Sequence, residues 1–132
     1  MTLAAFIISW TGQHRNSLEI AEALAPAVDD LTLVYSDRAD ALIVDSSCPS
    51  IKTPDEFYFG GKFKTCLDLC KADLMLVITG DVSCNDWMQL VRKCQESFSS
   101  FPGLGIWAPL IDYTSWKLSV TLLGRLENSS LT

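Results

Sequence analysis

The chain has a single histidine, His14, and no Cys-x-x-Cys pair among its five cysteines. Cys66 and Cys70 stand four apart on a predicted helix, but no third ligand lies nearby, so the usual spacing of a zinc site is missing. Five is an odd number, and an α/β domain in a reducing compartment needs no disulfides. Cys48, Cys66, Cys70, Cys84 and Cys94 are therefore read as reduced, mostly core, thiols. Positive charge is also scarce. Ten basic residues face sixteen acidic ones for a net charge of −6, and the lysines Lys62, Lys64 and Lys71 are scattered. A nucleic-acid backbone is excluded as the expected partner. No apolar run approaches the roughly 18 residues of a membrane helix. Met1 to Ala5 carries no positive charge of the kind that opens a signal peptide, so a cytoplasmic location is expected. Without secretion, the glycosylation pattern Asn128-Ser129-Ser130 carries no meaning. Neither repeats nor low-complexity linkers interrupt the chain, which reads as one domain over residues 1–132.

What the sequence does have is apolar substance. Hydrophobic residues make up 48% of 132 positions, enough for a core with apolar surface left over for a partner, a homo-oligomer or a missing half of a larger fold. The densest run is Leu74 to Ile78, which stops at Thr79-Gly80-Asp81. A strand without polar alternation suits a parallel sheet covered on both faces, and ligands bind outside the carboxyl ends of such strands. Asp81 is thus the first candidate for chemistry.

The same logic runs along the chain. Leu3 to Ser9 reads as a strand, and a helix capped by Asn16 carries Leu18, Ala21, Leu24, Ala25 and Val28 at helical spacing, with Pro26 as a kink. Leu31 to Ser36 and Ala41 to Asp45 read as strands, and Ser46 to Pro54 as a loop. Phe59, Phe63, Cys66, Leu67 and Cys70 form the apolar face of a helix entered through Gly60-Gly61. Asn85 or Asp86 starts another helix, which turns Trp87, Leu90, Val91, Cys94 and Phe98 inward and is broken by Pro102-Gly103. Leu104 to Ile111 reads as a fifth strand ending at Asp112. From Trp116 a period-two pattern (Trp116, Leu118, Val120, Leu122) predicts a half-exposed strand extending beyond the main sheet.

This order specifies an α/β fold with a doubly wound, mostly parallel, Rossmann-like sheet. Its strand ends carry Ser9-Trp10-Thr11-Gly12, Ser36-Asp37, Thr79-Gly80-Asp81 and Asp112 to one edge. A nucleotide needs such an edge: acceptors for base and ribose, an aromatic wall, and a divalent ion for its diphosphate.

The strand ending at Asp37, the Gly60-Gly61-Lys62 helix, the strand into Thr79-Gly80-Asp81 and the later Gly105-Ile106-Trp107-Ala108-Pro109 resemble the nucleotide-sugar half of a GT-A type glycosyltransferase, family-2-like. The resemblance spans nearly the whole chain. It implies that Asp81 is the final carboxylate of a DxD motif and holds Mn²⁺ or Mg²⁺, with Thr79 in place of the first acid. It also implies that Ser9, Trp10 and Thr11 lie against the nucleotide, that Asp37 bonds base or ribose, and that Lys62 is the basic residue near them. The implied partner is a nucleoside-diphosphate sugar and the implied reaction is sugar transfer to an acceptor hydroxyl. The chain ends before the acceptor-binding segment that carries the base in inverting relatives. A donor-binding half that binds nucleotide weakly and does not turn over is the expectation.

Simpler readings compete. Asp81 and Asp112 as turn acids, Trp10 and Trp107 as core, and Lys62 as a solvated first-turn charge each account for one residue without function. A flavodoxin-like FMN or phosphate-binding domain is the main alternative, on Ser9 to Gly12 and Ile20 to Leu24. A non-enzymatic dimerising module is the third.

Overall fold

The protein is described by a computed structural model over residues 1–36, 46–54, 59–107 and 121–125. The predicted strand 41–45, the acids Asp37 and Asp112, and Asn128 lie outside these residues. The described residues form six strands: β1 (Leu3–Ser9), β2 (Asp30–Tyr35), β3 (Ser50–Lys52), β4 (Leu74–Thr79), β5 (Ile106–Trp107) and β6 (Thr121–Arg125). They form one sheet in the order β3-β2-β1-β4-β6-β5. The first four are parallel, and β6 runs antiparallel to both β4 and β5.

Every residue of β1 and β4 is buried, as continuous apolar strands at the centre of a two-faced sheet must be. Alternate side chains feed two cores. Leu3, Ala5, Ile7, Leu74, Leu76 and Ile78 meet helices α1 (His14–Leu24) and α3 (Trp87–Ser100) on one face. On the other, Ala4, Phe6, Ile8, Met75 and Val77 meet α2 (Phe59–Leu69) through Cys66, with Trp10, Phe59 and Phe63 at the margin.

Helix α3 follows its sequence closely. The Asp86 side chain accepts a hydrogen bond from the Gln89 amide at 3.0 Å, and Trp87, Val91, Cys94 and Phe98 are buried at helical spacing. Helix α1 departs from expectation at its start. Gln13 occupies the cap position and Asn16 lies inside the first turn, its side chain directed elsewhere. At its other end the helix tightens into a 3₁₀ turn at Ala25–Ala27, because Pro26 supplies no amide to continue the α pattern.

Two strand expectations are corrected. Ser50–Lys52, read as loop, forms a short parallel edge against Leu33–Tyr35, held further by Leu33 N–H to the Pro49 carbonyl and Thr53 N–H to the Tyr35 carbonyl. Second, β6 does not extend beyond the main sheet but pairs with β4 from Leu74↔Arg125 to Ile78↔Thr121. An antiparallel strand between β4 and β5 also departs from the all-parallel flavodoxin-like order.

Burial controls the thiols. Cys66 and Cys94 have no exposed surface, and desolvation of the thiolate pushes both up from 9.0 to about 12. Between these values the unfolded chain releases protons that the folded chain keeps, so this contribution to stability is complete below pH 9 and is lost as pH rises toward 12. Each thiol is expected to remove up to about 1.4 kcal/mol per pH unit in that window. Urea denaturation at pH 8, 9 and 10 measures it; replacing both cysteines by alanine should flatten the profile.

Candidate functional site

The chain leaves β1, builds β2 and β3 to one side, and returns on the other side as β4, so the connections diverge between β1 and β4. At such a switch point the loops separate and leave a crevice at the carboxyl ends of the strands. Ile8 pairs with Thr79, which places Trp10 and Thr79-Gly80-Asp81 on the two sides of that divergence.

Lys62 and Trp10 meet from different elements. Lys62 Nζ lies 5.3 Å from the centre of the Trp10 ring, close enough for the cation to feel the ring's negative face. Lys62 is fully buried rather than a solvated charge. Thr11 and Gly12 remain exposed, and Gly12 takes φ of +89°, a left-handed turn that a side chain would oppose. Ser9 faces inward. Its Oγ accepts from the Ser17 hydroxyl at 2.7 Å and stands 2.7 Å from His14 Nδ1, with all three residues buried. The surface of this loop is therefore made by Trp10 and Thr11, with Ser9 bonded beneath.

Across the switch point, the Thr79 hydroxyl donates to Asp81 Oδ1 at 2.7 Å. Thr79 is buried and Asp81 half-exposed. Thr79 thus orients the carboxylate and spends its proton there, leaving Oδ2 of Asp81 outside this bond. Among the described residues no three His, Cys, Asp or Glu side chains cluster around a common point. One carboxylate still suits Mg²⁺ or Mn²⁺ when phosphate oxygens and water complete the shell, which is the common arrangement at nucleotide sites. On those terms the residue at this edge that could hold a divalent ion is Asp81.

The first turn of α1 joins the two sides, through residues that sequence reasoning missed. Gln13 Oε1 accepts from the Trp10 amide at 3.3 Å. Asn16 Nδ2 donates to the carbonyls of Gly80 at 2.6 Å and Val82 at 3.0 Å. Gly80 itself donates to the Ile8 carbonyl at 2.8 Å, and Gln13 and Ser17 leave no room for a β-carbon at this position. The only sequence signal was three polar residues, Gln13, Asn16 and Ser17, at helical spacing on the side of α1 that faces β4. Beyond them a cleft of about 440 Å³ opens between α1 and α3, with Asn16, Glu19, Cys84 and Asp86 in its wall and no basic residue.

No family profile and no curated protein sequence matches the chain. Solved structures do. CMP:2-keto-3-deoxy-manno-octonic acid synthetase complexed with CTP matches at TM-score 0.64 and 14% identity, over 80% of this chain and 51% of that one. Glucosyl-3-phosphoglycerate synthase from Mycobacterium tuberculosis in complex with UDP matches at 0.63 and 14%, over 80% and 42%. A protein described as a nucleotide-diphospho-sugar transferase from Desulfovibrio desulfuricans G20 matches at 0.65 and 10%, over 95% and 64%. The chain shares the GT-A-like, Rossmann-like α/β fold of these structures, and it spans roughly half the length of the first two. Among the described residues no helix is long and apolar enough to cross a membrane.

Proposed function

We propose that this chain is the donor-binding half of a GT-A type glycosyltransferase and takes a nucleoside-diphosphate sugar at the β1/β4 switch point. The observation that carries the reading is the arrangement there: an aromatic ring with a buried cation over it at the end of β1, and an oriented carboxylate at the end of β4. Neighbours of the same fold were solved with CTP and UDP, which supports a nucleotide as the ligand class. Trp10 and Thr11 line the nucleoside, Lys62 supplies positive charge to the diphosphate, and Asp81 shares a Mn²⁺ or Mg²⁺ with it. The ion, when bound, neutralises charge that develops on the departing diphosphate. Thr79 keeps Asp81 in one rotamer, and the buried Ser9, Ser17 and His14 keep the Trp10 loop seated. The reaction class is transfer of the sugar to an acceptor hydroxyl.

The test is calorimetric titration of UDP and GDP, and of their sugars, with and without Mn²⁺. One of these nucleotides should bind at least about tenfold more tightly with the ion, the scale of effect seen when groups around a metal are changed. In Asp81→Ala that increment should vanish while metal-free binding persists. Binding that ignores Mn²⁺ and survives the substitution would remove Asp81 from the site, and no nucleotide binding at all would overturn the reading. A yellow protein as purified would instead indicate a flavin.

A further inference from the structure

Asp81 sits in a turn after the last residue of β4, and among the described residues few hydrogen bonds tie this turn to the rest of the molecule. The Val82 amide reaches the Thr79 carbonyl only at 3.3 Å, a long bond for a tight turn. Thr79 bonds the Asp81 carboxylate, but both belong to the same short segment and move with it. Asn16 is different. One amide nitrogen from α1 donates to two carbonyls that bracket Asp81, those of Gly80 and Val82, 64 and 66 residues away in sequence.

We infer that Asn16 is a positioning residue for the nucleotide site: it fixes the backbone on both sides of Asp81 and so sets where the carboxylate meets the shared ion and diphosphate. The inference rests on the donor-site reading above. Its physical basis is the number of donors needed. Two carbonyl oxygens that point toward one another's neighbourhood repel, and an –NH₂ group with two hydrogens satisfies both at once. Neither a carboxylate nor a hydroxyl of similar reach offers two donors to that pair. The same helical turn carries Gln13, which holds the Trp10 amide. The first turn of α1 is thus a common brace for the two loops, and the register between Trp10 and Asp81 is set by residues three apart on one helix. A carboxylate acting alone tolerates less positional error than a pair, because no second acid can take up the ion if the first is displaced.

Three readouts separate positioning from bulk stability. In Asn16→Ala, hydrogen exchange at the Val82 amide, which donates to the Thr79 carbonyl, should speed up by at least about tenfold in the metal-free protein while the β1 and β4 amides keep their protection. The Mn²⁺ increment in UDP affinity should fall about tenfold, as for loss of a group that orients a ligand. Metal-free UDP affinity should stay unchanged. Asn16→Asp, nearly isosteric but presenting acceptors to the two carbonyls, should reproduce this pattern and serves if the alanine variant folds poorly. Retention of the full increment with unchanged exchange at Val82 would overturn the inference. A uniform rise in exchange across β1 and β4 would also overturn it, since Asn16 would then be a general stabiliser. A wild type in which neither UDP nor GDP affinity responds to Mn²⁺ overturns the role of Asp81 instead, and the exchange rates still decide whether Asn16 holds the turn.

Discussion

Gly80→Ala is expected to destabilise the protein by about 1–3 kcal/mol, the range for forcing one extra carbon into a packed interior. A β-carbon at position 80 would collide with Ser17 Oγ and press on Gln13 Cβ and Oε1, both at 3.2 Å. Ser17 cannot swing aside freely, because it is buried and its hydroxyl is committed to Ser9. The strand cannot back away either, because the Gly80 amide bonds the Ile8 carbonyl. Urea denaturation should show the midpoint falling on the order of 1 M, given an m-value of roughly 1–3 kcal/mol/M. The cause is checked by a double-mutant cycle. Ser17→Ala alone loses the bond to Ser9, costing about 1 kcal/mol. It also removes the colliding atom, so Gly80→Ala with Ser17→Ala should be clearly more stable than the sum of the two losses. Additive losses would place the strain elsewhere.

The second large effect is expected at Lys62. Lys62→Met keeps the length of the side chain and its contact with the α2 core but removes the charge above Trp10. Nucleotide affinity should drop at least roughly tenfold, because one charge-assisted contact to a phosphate is worth about 1.5–3 kcal/mol. Salt gives the sharper signature. Wild-type affinity should weaken as ionic strength rises, because a diphosphate is drawn by charge, whereas the Lys62→Met profile should be nearly flat. Lys62→Arg should keep the salt dependence. Trp10 fluorescence should shift in Lys62→Met even without ligand, since its cationic neighbour has gone. An unchanged affinity with an intact far-ultraviolet spectrum would take Lys62 out of nucleotide binding.

Much of this architecture was legible residue by residue. The run Leu74 to Ile78 announced a buried central strand, and Asp86 followed by Trp87, Val91, Cys94 and Phe98 announced a capped helix with one inward face. Both patterns depend on local periodicity, which a sequence states directly. Ser50–Lys52 did not, because three residues form a strand only when β2 offers a partner edge. The alternation after Trp116 described a strand but not its neighbours, so the place of β6 inside the sheet was hidden. At the site, Asp81 and Trp10 were visible as strand-end residues. Asn16 was read as a helix cap, because Asn near a helix start most often is one, and its real partners lie 64 and 66 positions downstream. For Lys62 the sequence leaves open both the basic residue near the nucleotide and a solvated first-turn charge, because only the folded chain brings Trp10 over it.

The antiparallel insertion of β6 has a consequence for how the chain is made. During synthesis, β1 to β4 emerge by residue 79, while the strand that covers the outer edge of β4 ends at residue 125. For the time needed to add those 46 residues (125 minus 79), Leu74 to Thr79, a strand buried along its whole length in the folded chain, exposes a row of unsatisfied backbone groups. A bare, hydrophobic edge is a template for pairing with another nascent chain. Crowded polysomes, slow translation between residues 80 and 120, and truncation before β6 should all favour aggregation through this edge. A strand made late, β6, therefore protects an edge of strands made before it.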